Sequence, residues 1–196
     1  MSSAEQHRRI VGEFTTTVEG IVPAAWDNPA PPQGWVARDV VRHLVEWFPA
    51  FLQGTTGITL PAGPSVDDDP AGAWRTQTEA VQALLDDPAT AEREHDFPHI
   101  GTMPLGQAVE MIYTGDVFLH RWDLARATGQ DETLDPETCA AMLDGMLPMD
   151  DALRQSGHYG PRVATPADAD IQTKLLAFIG RSPDTSVTAR IAGVPR

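Results

Sequence analysis

Apolar residues recur at helical spacing through most of the chain. Between 4 and 22 they fall at Ile10, Phe14, Val18, Ile21 and Val22, close to the 3.6-residue period of an amphipathic helix, and Pro23 ends the run. A Pro-rich loop, 27–34, follows. Between 36 and 53, Val36, Val40, His43 and Trp47 share one face, and Val41, Leu44, Val45, Phe48 and Phe51 widen it into a stripe. Asp39 in the first turn suits the helix dipole, whereas Pro49 predicts a kink or an end. Residues 54–66, rich in Gly, Thr and Pro, read as a loop. Asp67–Asp69 and Pro70 then start a third helix, patterned by Trp74, Val81, Leu84 and Leu85 and running to about 87.

Residues 88–101 read as an irregular connection. Thr102 is positioned to cap a fourth helix, with Pro104 tolerated in its first turn, and Gly129 stops it after about 128. A fifth helix begins after Asp135-Pro136 and carries Cys139, Met142, Leu143, Met146 and Leu147, until Pro148 interrupts. A sixth, at about 167–180, carries Ile171, Leu175, Leu176, Phe178 and Ile179 and stops at Gly180. Val187–Ile191 is compatible with an extended stretch. No convincing set of alternating strands and no internal repeat is present. The pattern predicts an all-α protein: four longer helices in a bundle, additional C-terminal helices at about 135–180 and a tail at 181–196, forming a single domain over 1–196.

Charge narrows the partners. The 196 residues hold 14 basic and 28 acidic side chains, a formal net charge of −14. That argues against nucleic acid, whose phosphates require a basic footprint, and against an anionic membrane surface. No apolar run approaches a transmembrane span, and the N-terminal MSSAEQHRR lacks the apolar stretch of a signal peptide. The single Cys139 cannot form an intrachain disulfide, which fits a cytoplasmic protein, and its apolar surroundings suit a small core residue.

The fourth helix carries the chemistry. Asp116 and His120 are four residues apart, hence on one face and within reach of a common atom. His43 lies on the apolar face of the second helix. Facing helices of a bundle can hold a metal between such residues, and imidazole and carboxylate suit zinc and related divalent ions. Three protein ligands leave open positions, the pattern of a reactive site. Spacing of this kind also arises by chance, and Asp39/His43 repeats it. Val109, Tyr113, Asp116, His120 and Asp123 form one line along the helix, so a carboxylate buried there needs a strong partner. A metal is one such partner. A hydrogen-bonded Tyr–Asp–His cluster, or an ion pair with Arg42 or Arg126, is the other. Asp123 is placed to orient His120 from behind, or to pair with Arg121 or Arg126. His95 and His99 are also four apart, but Pro98 between them argues against a helical pair, and His7 and His158 read as surface residues.

The segment 115–129, GDVFLHRWDLARATG, resembles the metal helix of DinB-like proteins, in the branch related to the mycothiol-dependent maleylpyruvate isomerase N-terminal domain. WVARDVVRHL, 35–44, resembles that branch's second helix, and FIGRSP, 178–183, its C-terminal element. The resemblance implies a DinB/YfiT-like four-helix bundle that binds one divalent metal, zinc or nickel, through His43, Asp116 and His120. Where the isomerase is expected to carry Glu, this chain has the shorter Asp116. Val36 stands where the branch has a small polar cap. The isomerase also has a separate C-terminal domain, for which this chain is too short, so maleylpyruvate isomerisation itself is not the expectation. The resemblance also implies an association with transfer of low-molecular-weight thiols such as mycothiol, although many related bundles have no known reaction. Two readings follow. One is a metal-dependent thiol transferase or isomerase acting on a small-molecule thiol and an electrophile, with Asp123 and Tyr113 supporting the ligands, Tyr113 as a hydrogen-bond donor. The other is a non-catalytic metal-binding or stress-response protein with the same triad. A homodimer is compatible with a bundle, but the sequence marks no interface. Nor does it identify the thiol-binding or catalytic residues.

Overall fold

A computed structural model describes residues 1–98, 100–157 and 159–182. Among the described residues the fold is all-α apart from one small hairpin. The chain divides into two compact units, 1–30 with 34–130, and 31–33 with 131–196.

In the first unit, α1 (Ser3–Glu19) opens on a capping box: Ser2 Oγ accepts from the Glu5 amide, and Glu5 accepts from the Ser2 amide. It ends at Gly20, three residues before the proline expected to stop it. Its inward stripe is Ile10, Val11, Phe14 and Val18, and His7 belongs to it. The surface expectation for His7 is therefore wrong. Its ring is fully buried, with Nδ1 2.9 Å from Gln82 Oε1, and burial depresses its pKa. A short 3-10 turn, Pro23–Asp27, leads to α2 (Ala37–Thr56). Val36 offers no side-chain cap, but Asp39 Oδ2 accepts from the Val36 amide at 3.0 Å. Pro49 neither ends α2 nor prevents its last two turns; Phe48 and Leu52 on either side are buried and hold it in place, and Gly57 terminates it at φ 76°.

α3 (Pro70–Asp86) starts as the sequence indicates, with Asp69 Oδ1 accepting from the Gly72 amide at 2.8 Å. A one-turn helix, α4 (Pro88–Ala91), follows. The expected irregular connection then contains an antiparallel hairpin, β1 (Glu94–Phe97) with β2 (Gly101–Pro104), in the register Glu94↔Pro104 to Phe97↔Gly101. Thr102 sits opposite Asp96 in β2 and is not a helix cap. His99 lies outside the described residues, so the His95/His99 pair does too.

The fourth predicted helix is one helical run with a wide turn inside it: α5 (Leu105–Ala108), a π-helical segment (Val109–Thr114) and α6 (Gly115–Thr128). The Gly115 amide bonds back to the Glu110 carbonyl, five residues away. That inserts about one extra residue into the helical repeat just before Asp116 and resets which face Asp116 and His120 occupy. Gly129, at φ 69°, ends the run. α1 packs on α6 and α3, and α2 packs on α6 and α3, so the four close into a ring with α1 opposite α2. The core between them holds Phe14, Leu44, Phe48, Trp74, Tyr113, Phe118 and Trp122.

In the second unit, α7 (Pro136–Met146) packs against α9 (Ile171–Phe178), with a 3-10 turn (Leu147–Met149) and α8 (Asp150–Gln155) between them in sequence. Asp135 and Asp170 cap α7 and α9. Arg154 and Arg162 both stack on Phe178, at 4.8 and 4.6 Å, and Asp150 pairs with both guanidinium groups. Cys139 is a core residue as expected, and burial pushes its thiol up to about 11. His158 and the 187–191 stretch lie outside the described residues.

Candidate metal centre

α2 and α6 present His43, Asp116 and His120 to one point. Their donor atoms lie within 4.8 Å of one another, and among the described residues this is the one convergence of three such donors. His43 Nε2 is 3.1 Å from Asp116 Oδ2, and His120 Nε2 is 3.4 Å from Asp116 Oδ1. Bonds of about 2.0–2.1 Å in a tetrahedral site place neighbouring ligand atoms about 3.3–3.4 Å apart; the two histidine separations are of that size but run to different Asp116 oxygens, so the carboxylate would have to turn to hold an ion through one of them.

Each candidate ligand is held by a second contact. His120 Nδ1 is 2.9 Å from Asp123 Oδ2, and the Asp123 side chain is 1% exposed. With Nδ1–H given to that carboxylate, the Nε2 lone pair faces Asp116. Two acceptors in that position require a positive centre between them, either a proton or a metal ion. Trp47 Nε1–H donates to Asp116 Oδ2 at 3.0 Å. Trp35 stacks on His120, with centroids 5.7 Å apart and planes 16° apart, and lies 5.2 Å from His43. The backbone before α2 sets that position, because the Ala30 amide bonds to the Trp35 carbonyl and Pro29 bridges Val36.

Burial acts to raise the pKa of Asp116, but the two histidines and the Trp47 hydrogen bond more than offset it, leaving the carboxyl below its ordinary value. The ion pair considered for Asp116 with Arg42 is not the arrangement found: Arg42 pairs with Asp39, Glu46 and Asp67. Tyr113 lies one layer deeper. Its hydroxyl accepts from Gln77 Nε2 at 3.0 Å, and its ring stacks on Phe48 at 4.0 Å. Burial, with Asp116 adding to it, pushes the phenol well above its usual pKa, so it stays neutral. Sequence reasoning placed Trp47 on the His43 face without assigning it to the site, and it passed over Trp35. The spacing of four from His43 was the available signal for Trp47. The Trp35 contact depends on the fold of the preceding loop.

Comparison with known proteins agrees with this architecture. Two proteins of Mycobacterium tuberculosis, described as uncharacterized, one from strain CDC 1551 / Oshkosh and one from strain H37Rv, are each 26% identical over 179 residues, covering 90% of this chain and 96% of theirs. No solved structure gives a significant match. Residues 7–125, which span the four-helix ring and all three candidate ligands, match the mycothiol maleylpyruvate isomerase N-terminal domain. The chain therefore belongs to that DinB-like family.

Proposed function

We propose that this protein binds one divalent metal ion, zinc or nickel, through His43, Asp116 and His120, and uses it to transfer or isomerise substrates by way of a low-molecular-weight thiol of the mycothiol type. The carrying observation is the convergence of two imidazoles on one carboxylate, with the outer nitrogen of His120 already committed to Asp123. Such a set presents neutral imidazole and anionic carboxylate donors from rigid helices. Family membership supports the thiol part of the reading.

A divalent cation bound there would lower the pKa of a coordinated thiol and so supply a thiolate near neutral pH. The chain's own residues set the conditions. Asp123 keeps His120 in one orientation and tautomer. Trp47 ties one oxygen of Asp116 and limits its rotation. Trp35 covers the His120 ring and restricts water on that side. The neutral Tyr113–Gln77 pair supports α2 and α6 from within the core, bonding the Leu44 carbonyl at 2.6 Å.

The test is turnover of a mycothiol-type thiol with an electrophile, by metal-free, zinc-reloaded and nickel-reloaded protein, beside His120→Ala. Activity that requires reloading and is absent from His120→Ala supports the proposal. Turnover that persists without metal overturns it. Metal binding without turnover across a panel of thiols and electrophiles would favour a non-catalytic metal-binding protein.

A further inference from the structure

Asp116 receives its contacts unevenly. His43 Nε2 and Trp47 Nε1 both reach Oδ2, at 3.1 and 3.0 Å, whereas Oδ1 faces His120 Nε2 at 3.4 Å. His43 and Trp47 are four apart on α2, so one face of that helix sends both groups to the same oxygen. The two kinds of contact differ in what they can become. An imidazole that ligates through Nε2 offers a lone pair there, so neither histidine can donate to Asp116 while it holds an ion. The indole N–H is a donor and nothing else, and it stays one. Among the described residues, Trp47 is therefore the donor to Asp116 that persists with and without an ion.

The donor is itself held in place. The Trp47 ring meets Phe48 at 5.6 Å, Phe51 at 5.9 Å and Tyr113 at 6.2 Å, each edge-on, with planes 80°, 60° and 62° apart. Phe48 and Tyr113 belong to the core. A ring packed on that base leaves its N–H little freedom to follow a moving carboxylate. When Asp116 turns with Oδ2 still held, Oδ1 is the oxygen free to reach an ion. A carboxylate released from that hold has both oxygens available and can take an ion between them.

We infer that Trp47 is a positioning residue that restricts Asp116 to one-oxygen coordination through Oδ1, which sets the protein's contribution to the centre at three donor atoms and selects for ions of low coordination number. This rests on the metal half of the proposed function and not on its thiol chemistry. The probe is cobalt(II), loaded into the metal-free full chain and read by visible absorption, which is strong in four- and five-coordinate sites and weak in six-coordinate ones. Two altered proteins test the N–H. One is Trp47→Phe. The other carries benzothienylalanine at position 47, in which sulfur replaces the indole N–H and the ring shape is kept. Wild type should give the strong spectrum. Both altered proteins should lose most of that intensity, and their preference for zinc over manganese(II), measured by competition, should fall about tenfold, the worth of about one hydrogen bond to a charged group. A weak wild-type spectrum, or altered proteins that keep the wild-type spectrum and zinc preference, overturns the inference. An effect confined to Trp47→Phe overturns it too, because ring packing and not the N–H would then be responsible. The two claims fail distinguishably: wild type that takes up neither cobalt nor zinc defeats the metal reading and this inference together, whereas uptake without the expected difference defeats this inference alone.

Discussion

Asp123→Asn changes one oxygen to an amide nitrogen behind the candidate centre and leaves the side-chain shape nearly unchanged. The carboxylate lies 2.9 Å from His120 Nδ1 and is 1% exposed, so solvent does not screen the contact. Hydrogen bonds to charged groups contribute about 1.5–3 kcal/mol and neutral ones about 0.5–1.5 kcal/mol, so replacing an anionic acceptor by a neutral one costs about 1–1.5 kcal/mol of ligand positioning. Each 1.4 kcal/mol is about tenfold in affinity. Zinc affinity should therefore fall about tenfold, within the range of about 10–100-fold expected for partners of metal-bound histidines. The assay is competition for zinc against a chromophoric chelator at fixed pH, with thermal unfolding of the metal-free variant alongside it to establish folding. Folded Asp123→Asn that binds zinc within twofold of wild type would refute the reasoning, because Nδ1 would then not control the ligand nitrogen.

Trp47→Phe keeps a ring beside Phe48 but removes the N–H given to Asp116, so zinc affinity should fall several-fold in the same competition assay with little change in unfolding temperature. Phe48→Ala empties a core position whose ring is 1% exposed and stacked on Tyr113; the denaturant midpoint should drop by an amount equivalent to about 3–5 kcal/mol. His7 is depressed below its ordinary value of 6.5 by burial, so the unfolded chain takes up a proton there that the folded chain resists. Its contribution to stability is present above about 6.5 and is lost as pH falls through the folded value, by about 1.4 kcal/mol for each unit separating the two. Unfolding measured between neutral and acidic pH should show a shallower decline for His7→Gln than for wild type.

The helices were legible where one face repeats at a helical period. Ile10, Phe14 and Val18, then Val40, Leu44 and Phe48, are buried as their spacing implies. The Asp116/His120 spacing was legible for the same reason. The hairpin was not, because each strand has four residues and Phe97 is its one buried side chain, leaving no alternation to read. Thr102 and Pro104 also imitate a helix start. The π-helical turn was hidden because a single inserted residue leaves the apolar stripe broadly intact. Pro49 predicted a break that tertiary packing overrides, and His7 sits in the polar sequence SSAEQHRR, where nothing local signals Gln82 across the bundle. His43 was brought to Asp116 by the family resemblance rather than by spacing, and Trp47, which donates to Asp116 from another helix, was visible only once α2 and α6 were packed.

The most direct test of the account is elemental analysis of protein purified without a histidine tag or added metal, beside His120→Ala prepared identically, each repeated after incubation with zinc or nickel and removal of excess ion. The account predicts about one tightly held divalent ion per chain in the wild type and none in the variant. Absence of metal from both, even after zinc and nickel have been supplied, would contradict it and leave His43, Asp116 and His120 as a hydrogen-bonded cluster.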